Sequence, residues 1–294
     1  MNALYVMPVC HRDEPKKENQ NDHAQTEISF SFFRDPVPNN GSRLYKETSQ
    51  SPALGHKNMS VIAIGDLHGD FSVLEAVPAG EGDIIIILGD AGFLFDGSEK
   101  ELEEIRRLSE YPFLIAFLDG NHDNLLLIES YPIEIWMGGP VHRLSPRLIH
   151  LIRGSIYTIN EKRYFVFGGG VSADKAARRE GFDYWRKELP SPEEYGTAWE
   201  NLLQYDFRVD YILCHTAPTD AVYALRGSLK HPDEEPLNNF LLKIRHAANY
   251  NRLLFGHFHR DLELPDRQTA VYRRPAVLDA SGAVSADLTK PTVW

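Results

Sequence analysis

The chain has 294 residues, 43% hydrophobic and 25% charged, an ordinary soluble globular composition with room for one large or two small domains. A net charge of −11 disfavours non-specific binding to a polyanion, so long nucleic acid is not an expected partner. Cys10 and Cys214 cannot build a disulfide framework or a four-thiolate zinc site, and no apolar run approaches the roughly 18 residues of a membrane span; with no signal-peptide pattern either, a cytoplasmic protein is the expectation.

Residues 1–58 are rich in Asn, Gln, Ser, Pro and charged residues and show little periodicity. Ile28 to Phe32 alternates, but Pro36 and Pro38 follow at once. The segment reads as a disordered leader, with the functional domain over residues 59–294 beginning near Met59. From there the pattern is strand, glycine loop, helix. Val61–Ile64 is a short apolar strand that runs into Gly65-Asp66-Leu67-His68-Gly69-Asp70. Phe71 to Val77 reads as a helix stopped by Pro78. Ile84 to Leu88 is a β-branched run suited to a strand buried on both faces, and it ends in Gly89-Asp90. Ser98 to Glu110 reads as an amphipathic helix capped by Ser98. Phe113 to Leu118 is a third strand, ending in Asp119-Gly120-Asn121-His122-Asp123.

Further on, Ile156–Ile159 and Tyr164–Phe167 flank Asn160 to Arg163 as a hairpin. The second of these strands runs into Gly168-Gly169-Gly170, and a helix is expected from Ala173 to about Glu180. Ser191, Pro192 and Glu194 make a capping-box start for a helix reaching Tyr205. Val209 to Leu213 is a strand ending in Cys214-His215. Leu237 to Ala248 is an amphipathic helix. Arg252 to Phe255 is a strand ending in Gly256-His257-Phe258-His259. Val271–Arg273 and Ala276–Asp279 are expected as edge strands.

Five predicted strands therefore end in ligand-type residues: Asp66 and His68; Asp90; Asn121 and His122; His215; His257 and His259. A single Asp after a strand is ordinarily a turn former, and a single His an ordinary hydrogen-bonded residue. Five strand ends together point to a site, at the place where α/β folds put their chemistry. Asp66 and His68, two apart, would project to one side of an extended chain. The donors are two aspartates, an asparagine carbonyl and several imidazoles without a thiolate, a mixture that suits Mn, Fe or Zn better than Ca or Mg. They are too many for one tetrahedral ion and about right for two ions sharing a carboxylate.

Asp66-x-His68, Gly89-Asp90, Gly120-Asn121-His122-Asp123, His215 and Gly256-His257-x-His259 resemble the ordered motifs of the calcineurin-like metallophosphoesterases. The resemblance implies an α/β fold, a four-layer sandwich of two mixed β-sheets flanked by helices. It also implies two divalent transition-metal ions and hydrolysis of a phosphate mono- or diester through a metal-bridging hydroxide. By the same resemblance Asp66, His68 and His259 bind the first ion, Asp90 bridges, and Asn121, His215 and His257 bind the second. His122 matches the histidine beside the leaving group, with Asp123 expected to orient its ring. A nuclease or cyclic-nucleotide phosphodiesterase is the alternative activity, and a metal-binding scaffold without turnover the alternative class.

The protein serine/threonine phosphatase branch carries phosphate-clamping arginines in its second motif and just before Gly-Asn-His. Here Ala91-Gly92-Phe93-Leu94 and Asp119 stand in those places, which argues against that branch. The expected partner is a small phosphorylated molecule. Its charge is expected to meet the Gly168–Gly170 loop, whose N–H groups could face an anion, and Lys175, Arg178 and Arg179 just beyond. Tyr184, Trp185 and Glu188 are read as packing near that loop, and Cys214 as a small buried residue.

Overall fold

The computed structural model describes residues 59–172, 179–181, 184–229 and 231–278. The leader over 1–58 and nearly all of the helix expected from Ala173 lie outside them. Among the described residues the strands form one seven-stranded and one six-stranded sheet. In the first, β1 (Val61–Ile64), β2 (Ile84–Ile87), β3 (Leu114–Phe117) and β6 (Leu148–Leu151) run parallel. β5 (Gly139–Ser145) and β4 (Ile133–Trp136) continue one side antiparallel, and β13 (Ala276–Leu278) closes the other against β1. In the second sheet, β8 (Lys162–Phe167), β9 (Tyr211–Cys214), β10 (Arg252–Phe255) and β12 (Gln268–Ala270) are parallel. The antiparallel edges are β7 (Ile156–Ile159) and β11 (Leu262–Leu264). Both sheets are mixed.

The apolar runs are continuous because each central strand is covered on both faces. Ile62, Ile64, Ile85, Ile87, Ile115 and Phe117 point outward into a core shared with helices α1 (Val73–Ala76), α2 (Glu99–Leu108) and α3 (Leu125–Ile128). The alternate residues Val61, Ala63, Ile84, Ile86 and Ala116 point inward and meet Tyr157, Tyr164, Val166, Tyr211 and Leu213 of the second sheet. On the far side of that sheet, Phe165, Phe167, Ile212, Leu253 and Phe255 pack under α4 (Pro192–Gln204), α5 (Thr219–Arg226) and α6 (Glu235–Ala247). The layers run helix, sheet, sheet, helix, as the four-layer expectation requires. No helix among the described residues is long and apolar enough to cross a membrane.

Local chemistry explains the boundaries. Ser191 Oγ accepts from Glu194 N–H at 3.2 Å and Glu194 Oε2 accepts from Ser191 N–H at 2.7 Å, so α4 starts with the expected capping box. Ser98 makes no side-chain cap. Glu101 organises that end of α2 instead, accepting from the N–H groups of Phe95, Asp96 and Gly97. The β7–β8 turn is two residues, Asn160 and Glu161, both left-handed (φ 50° and 63°). This is the conformation whose twist matches paired strands, so β8 begins at Lys162 rather than Tyr164. Val271–Arg273 is not a strand. The N–H groups of Tyr272, Arg273 and Arg274 turn onto the Asp261 carboxylate instead of a neighbouring strand.

The excursion through β4–β6 is absent from the sequence reading because polar residues interrupt its periodicity. Those residues build a buried network. Arg153 donates to Asp119 Oδ2 from Nε at 2.8 Å and Nη2 at 2.5 Å, and to the Lys187 carbonyl at 2.7 Å. His150 Nε2 donates to Asp119 Oδ1 at 3.2 Å, and its Nδ1 lies 3.1 Å from His142 Nδ1. Burial alone would raise the Asp119 pKa, but the Arg153 charge outweighs it and holds the carboxyl well below its usual range. Asp119 occupies the position before Gly120, so this pair ties the third motif to the chain carrying Lys187 and Glu188. Removing one partner of a buried ion pair strands the other charge. Arg153→Ala is expected to lower unfolding free energy by about 3–5 kcal/mol in urea titrations.

Candidate metal centre

The sheet register brings the motifs together. Ile64, Ile87 and Phe117 are aligned across the first sheet, and Phe255, Cys214 and Phe167 across the second. Asp66, Asp90 and Asn121 lie just beyond the first set, and His257, His215 and Gly168 just beyond the second. Every motif thus leaves the carboxyl end of a parallel strand at the same rim.

The loops there are bent sharply. His68, Asp90, His257 and His259 all have left-handed backbones, with φ between 49° and 63°. A non-glycine residue pays of order 1–3 kcal/mol for such a conformation. It persists here because neighbouring loops hold it: Leu67 and His68 donate to the Asp90 carbonyl at 3.1 and 2.8 Å, and Gly69 donates to the Ala91 carbonyl at 3.1 Å. His68 therefore reaches the side of Asp66 through a left-handed turn past the end of β1, not through strand alternation. Two motif glycines make room for carboxylates. A Cβ on Gly120 would sit 2.1 Å from Asp90 Oδ1, and one on Gly256 would sit 2.4 Å from Asp66 Oδ1.

Two groups of donors result. In the first, His259 Nε2 lies 3.0 Å from His68 Nε2 and 3.0 Å from Asp66 Oδ2. Asp66 Oδ2 is nonetheless buried without a hydrogen bond of proper geometry. In the second, His215 Nε2 lies 3.1 Å from Asn121 Oδ1 and 3.5 Å from Asp90 Oδ1, and the His257 ring packs against that of His215. Asp66, His68 and His259, and likewise Asp90, His215 and His257, each offer donor atoms within 4.8 Å of one another; His68, Asp90 and His122 form a third such set that joins the rim histidine to the first group. Asp90 stands between the groups, with Oδ2 at 3.8 Å from His68 Nε2 and Oδ1 toward His215. Lone pairs converging at about 3 Å, including an orphaned buried oxygen, are what a divalent cation's ligands look like; the mixed N/O set fits a transition metal.

Supporting bonds orient these groups. His215 Nδ1–H donates to the Leu88 carbonyl at 2.8 Å, which leaves Nε2 as the free donor atom. Asp66 Oδ1 accepts from His257 N–H at 2.9 Å, and Asp90 Oδ1 from His122 N–H at 2.8 Å. His122 Nε2 lies 4.0 Å from Asp90 Oδ2, its side chain 29% exposed at the rim. The Asp123 carboxylate is engaged by backbone N–H groups. Its Oδ1 accepts from Gly92 N–H, and its Oδ2 from the N–H groups of Ala91 and Gly120, so it clamps the second motif to the third.

The glycine loop also differs from expectation. The N–H groups of residues 169 to 172 donate to the Asp119 carbonyl, the Glu188 carbonyl, Glu234 Oε1 and Glu188 Oε2 in turn. They are committed within the protein, so the loop supports the centre and is not an anion cradle. Lys175 and Arg178 lie outside the described residues, and Arg179 is exposed. Trp185 is buried edge-on to Phe95, as the packing reading has it, and Cys214 is buried with its thiol pKa pushed up by burial. Glu234 was not legible: it sits in a Pro-Asp-Glu 3₁₀ turn with no motif or period to mark it.

Electrostatically, the centre crowds acids together. Burial pushes Asp90 up to about 7, opposed by His215 and reinforced by Asp66 and Asp123. Burial also works to raise Asp66, but the neighbouring His259 and His215 overcome it and its pKa falls. His257 is pushed well below its usual value by burial, then by His215. His259 rises because it adjoins Asp66.

A sheet pair with an Asp/His/Asn rim of this kind defines a metallo-dependent phosphoesterase centre. The chain belongs to the calcineurin-like phosphoesterases, whose family model matches residues 59–261. No curated protein matches it. Among solved structures it is similar to TT1561 of Thermus thermophilus, with 16% identity, a TM-score of 0.45, and coverage of 73% of this chain and 88% of that one. It is also similar to the phosphopantetheinyl hydrolase PptH of Mycobacterium tuberculosis, with 16% identity, a TM-score of 0.36, and coverage of 72% and 89%. Neither likeness bears on substrate.

The raised pKa of Asp90 has a measurable sign. Below about pH 4 the folded and unfolded chains both hold this proton. Between there and about pH 7 the unfolded chain ionises first, so the term destabilises the metal-stripped fold as pH rises. In urea titrations from pH 4 to 7, stripped wild type is expected to lose stability relative to Asp90→Asn. Parallel curves for the two would remove the shift.

Proposed function

We propose that the chain hydrolyses phosphate esters at a pair of divalent transition-metal ions, manganese being the first choice and iron or zinc the others. Asp66, His68 and His259 would hold the first ion, and Asn121, His215 and His257 the second. The observation that carries this reading is the placement of Asp90, buried between the two donor groups with one oxygen turned toward each. Two cations, when bound, supply positive charge for the phosphate oxygens and a water acidic enough to attack phosphorus near neutral pH.

The chain's own residues do the rest. Asp90 would contribute the shared negative charge that two neighbouring cations need. The Leu88 carbonyl keeps the proton of His215 on Nδ1, away from the centre. Asp123 fixes the backbone on either side, so that Asp90 and Asn121 keep their spacing. His122 is anchored through its backbone N–H on Asp90 and presents Nε2 at the open rim. There it holds the proton that the departing ester oxygen takes up. The acidic chain favours a small phosphorylated substrate over a long polyanion.

Purified protein is expected to carry about two transition-metal ions by mass spectrometry and to hydrolyse members of a Mn²⁺-supplemented panel of phosphomonoesters and diesters. Asp90→Asn should abolish turnover and weaken metal loading. His122→Ala should keep the metal and lose rate by roughly 10²–10⁴-fold. A chain that holds no metal after Mn²⁺ loading would overturn the reading, and equal metal loss in both variants would move His122 among the ligands. If Lys175, Arg178 and Arg179 meet the substrate's charge, their replacement by Ala raises KM for an anionic substrate with little change in kcat; unchanged kinetics return them to the solvated surface.

A further inference from the structure

The second donor group is enclosed on the side away from Asp90 by an assembly that none of the motifs includes. Asn121 Nδ2 donates to Ser172 Oγ at 3.3 Å, and Ser172 Oγ donates to Glu188 Oε2 at 2.9 Å. This fixes which end of the amide is which. With its nitrogen turned to Ser172, the carbonyl oxygen faces His215 Nε2 and the centre. Rotating the amide by half a turn would put an N–H₂ where a cation needs a lone pair.

The other element is Glu234, 3% exposed, whose Oε1 accepts from Val171 N–H at 3.1 Å and lies 3.6 Å from His257 Nε2. That nitrogen is buried and otherwise lacks a hydrogen-bond partner. A carboxylate facing one nitrogen of an imidazole selects the tautomer with the proton on that side, and so frees the other nitrogen for a metal. Among the described residues the first donor group is more open: the His68 and His259 side chains are 33% and 47% exposed.

We propose that Ser172, Glu188 and Glu234 are positioning residues for the second ion, Ser172 and Glu188 by orienting the Asn121 amide and Glu234 by setting the tautomer of His257. The assignment rests on the two-metal reading above. It makes the loop of residues 168–172 the scaffold of one ion's coordination, and it accounts for the commitment of that loop's N–H groups to protein acceptors. It also separates the two ions: the second sits in a preorganised, closed set, and the first in an open one.

The test is calorimetric titration of the metal-stripped full chain with Mn²⁺, paired with electron paramagnetic resonance of the loaded protein. Wild type is expected to bind in two steps and to give the multiline spectrum of an exchange-coupled pair. Ser172→Ala and Glu234→Gln should each weaken one step by about 10–100-fold and leave the other in place. At Mn²⁺ levels that fill wild type, their spectra should become the six-line pattern of an isolated ion. Ser172→Thr, which keeps the hydroxyl, should restore the coupled spectrum. Glu234→Gln keeps an acceptor for Val171 N–H, so its stripped form should unfold at the wild-type urea midpoint. Wild-type affinities in both steps overturn the assignment. So does equal weakening of both steps with a lowered midpoint, which marks a packing role. A wild-type chain that binds no Mn²⁺ is a different failure, because it removes the two-metal reading itself.

Discussion

Three carboxylates, Asp66, Asp90 and Asp123, are buried where the rims of two sheets meet. Burying acids side by side costs folding free energy unless something answers their charge. Asp123 is answered by backbone N–H groups and Asp66 partly by His257 N–H and the His259 ring. Asp90 receives one backbone N–H and otherwise faces imidazoles. On the two-metal reading, bound cations would offset this crowding. The strained loops, the close-packed glycines and the helix-covered sheets all hold that arrangement in place.

Much of this was legible. β1, β2, β3, β9 and β10 declare themselves because burial on both faces demands unbroken apolar runs such as Ile84 to Leu88. The donors declare themselves because each follows such a run. What stayed hidden is of a different physical kind. β4 to β6 lose their periodicity to His142, Arg143 and His150, two of which belong to the buried network around Asp119. Ser172 and Glu234 act on residues 51 and 23 positions away, and no local period records such a partnership. The glycine loop misled for a related reason. Free N–H groups and committed ones look the same in sequence; only the acceptors opposite them, Glu188 and Glu234, decide which they are.

Asp119 shows how one position can carry opposite chemistry within one architecture. In the phosphatase branch that this chain resembles less, an arginine stands before the Gly-Asn-His motif. Here the residue is an acid that points into the protein and meets Arg153. The positive charge here is the buried Arg153, and it serves as a structural tie. The tie brings the Lys187–Glu188 backbone under Arg153, where Glu188 can reach Ser172.

The bond from His257 N–H to Asp66 joins residues 191 positions apart, and so does the approach of His259 to His68. Asp66 leaves the ribosome 191 residues before His257, and His68 leaves it 191 residues before His259. Until β10 has emerged and paired with β9, Asp66 and His68 have Asp90 beside them but not His257 or His259. The contacts that close the first donor group are therefore among the longest loop closures in the described chain and come late in folding. A cation held by that group would report that β10 is in place, and a chain cut short before His257 would leave Asp66 and His68 without His259.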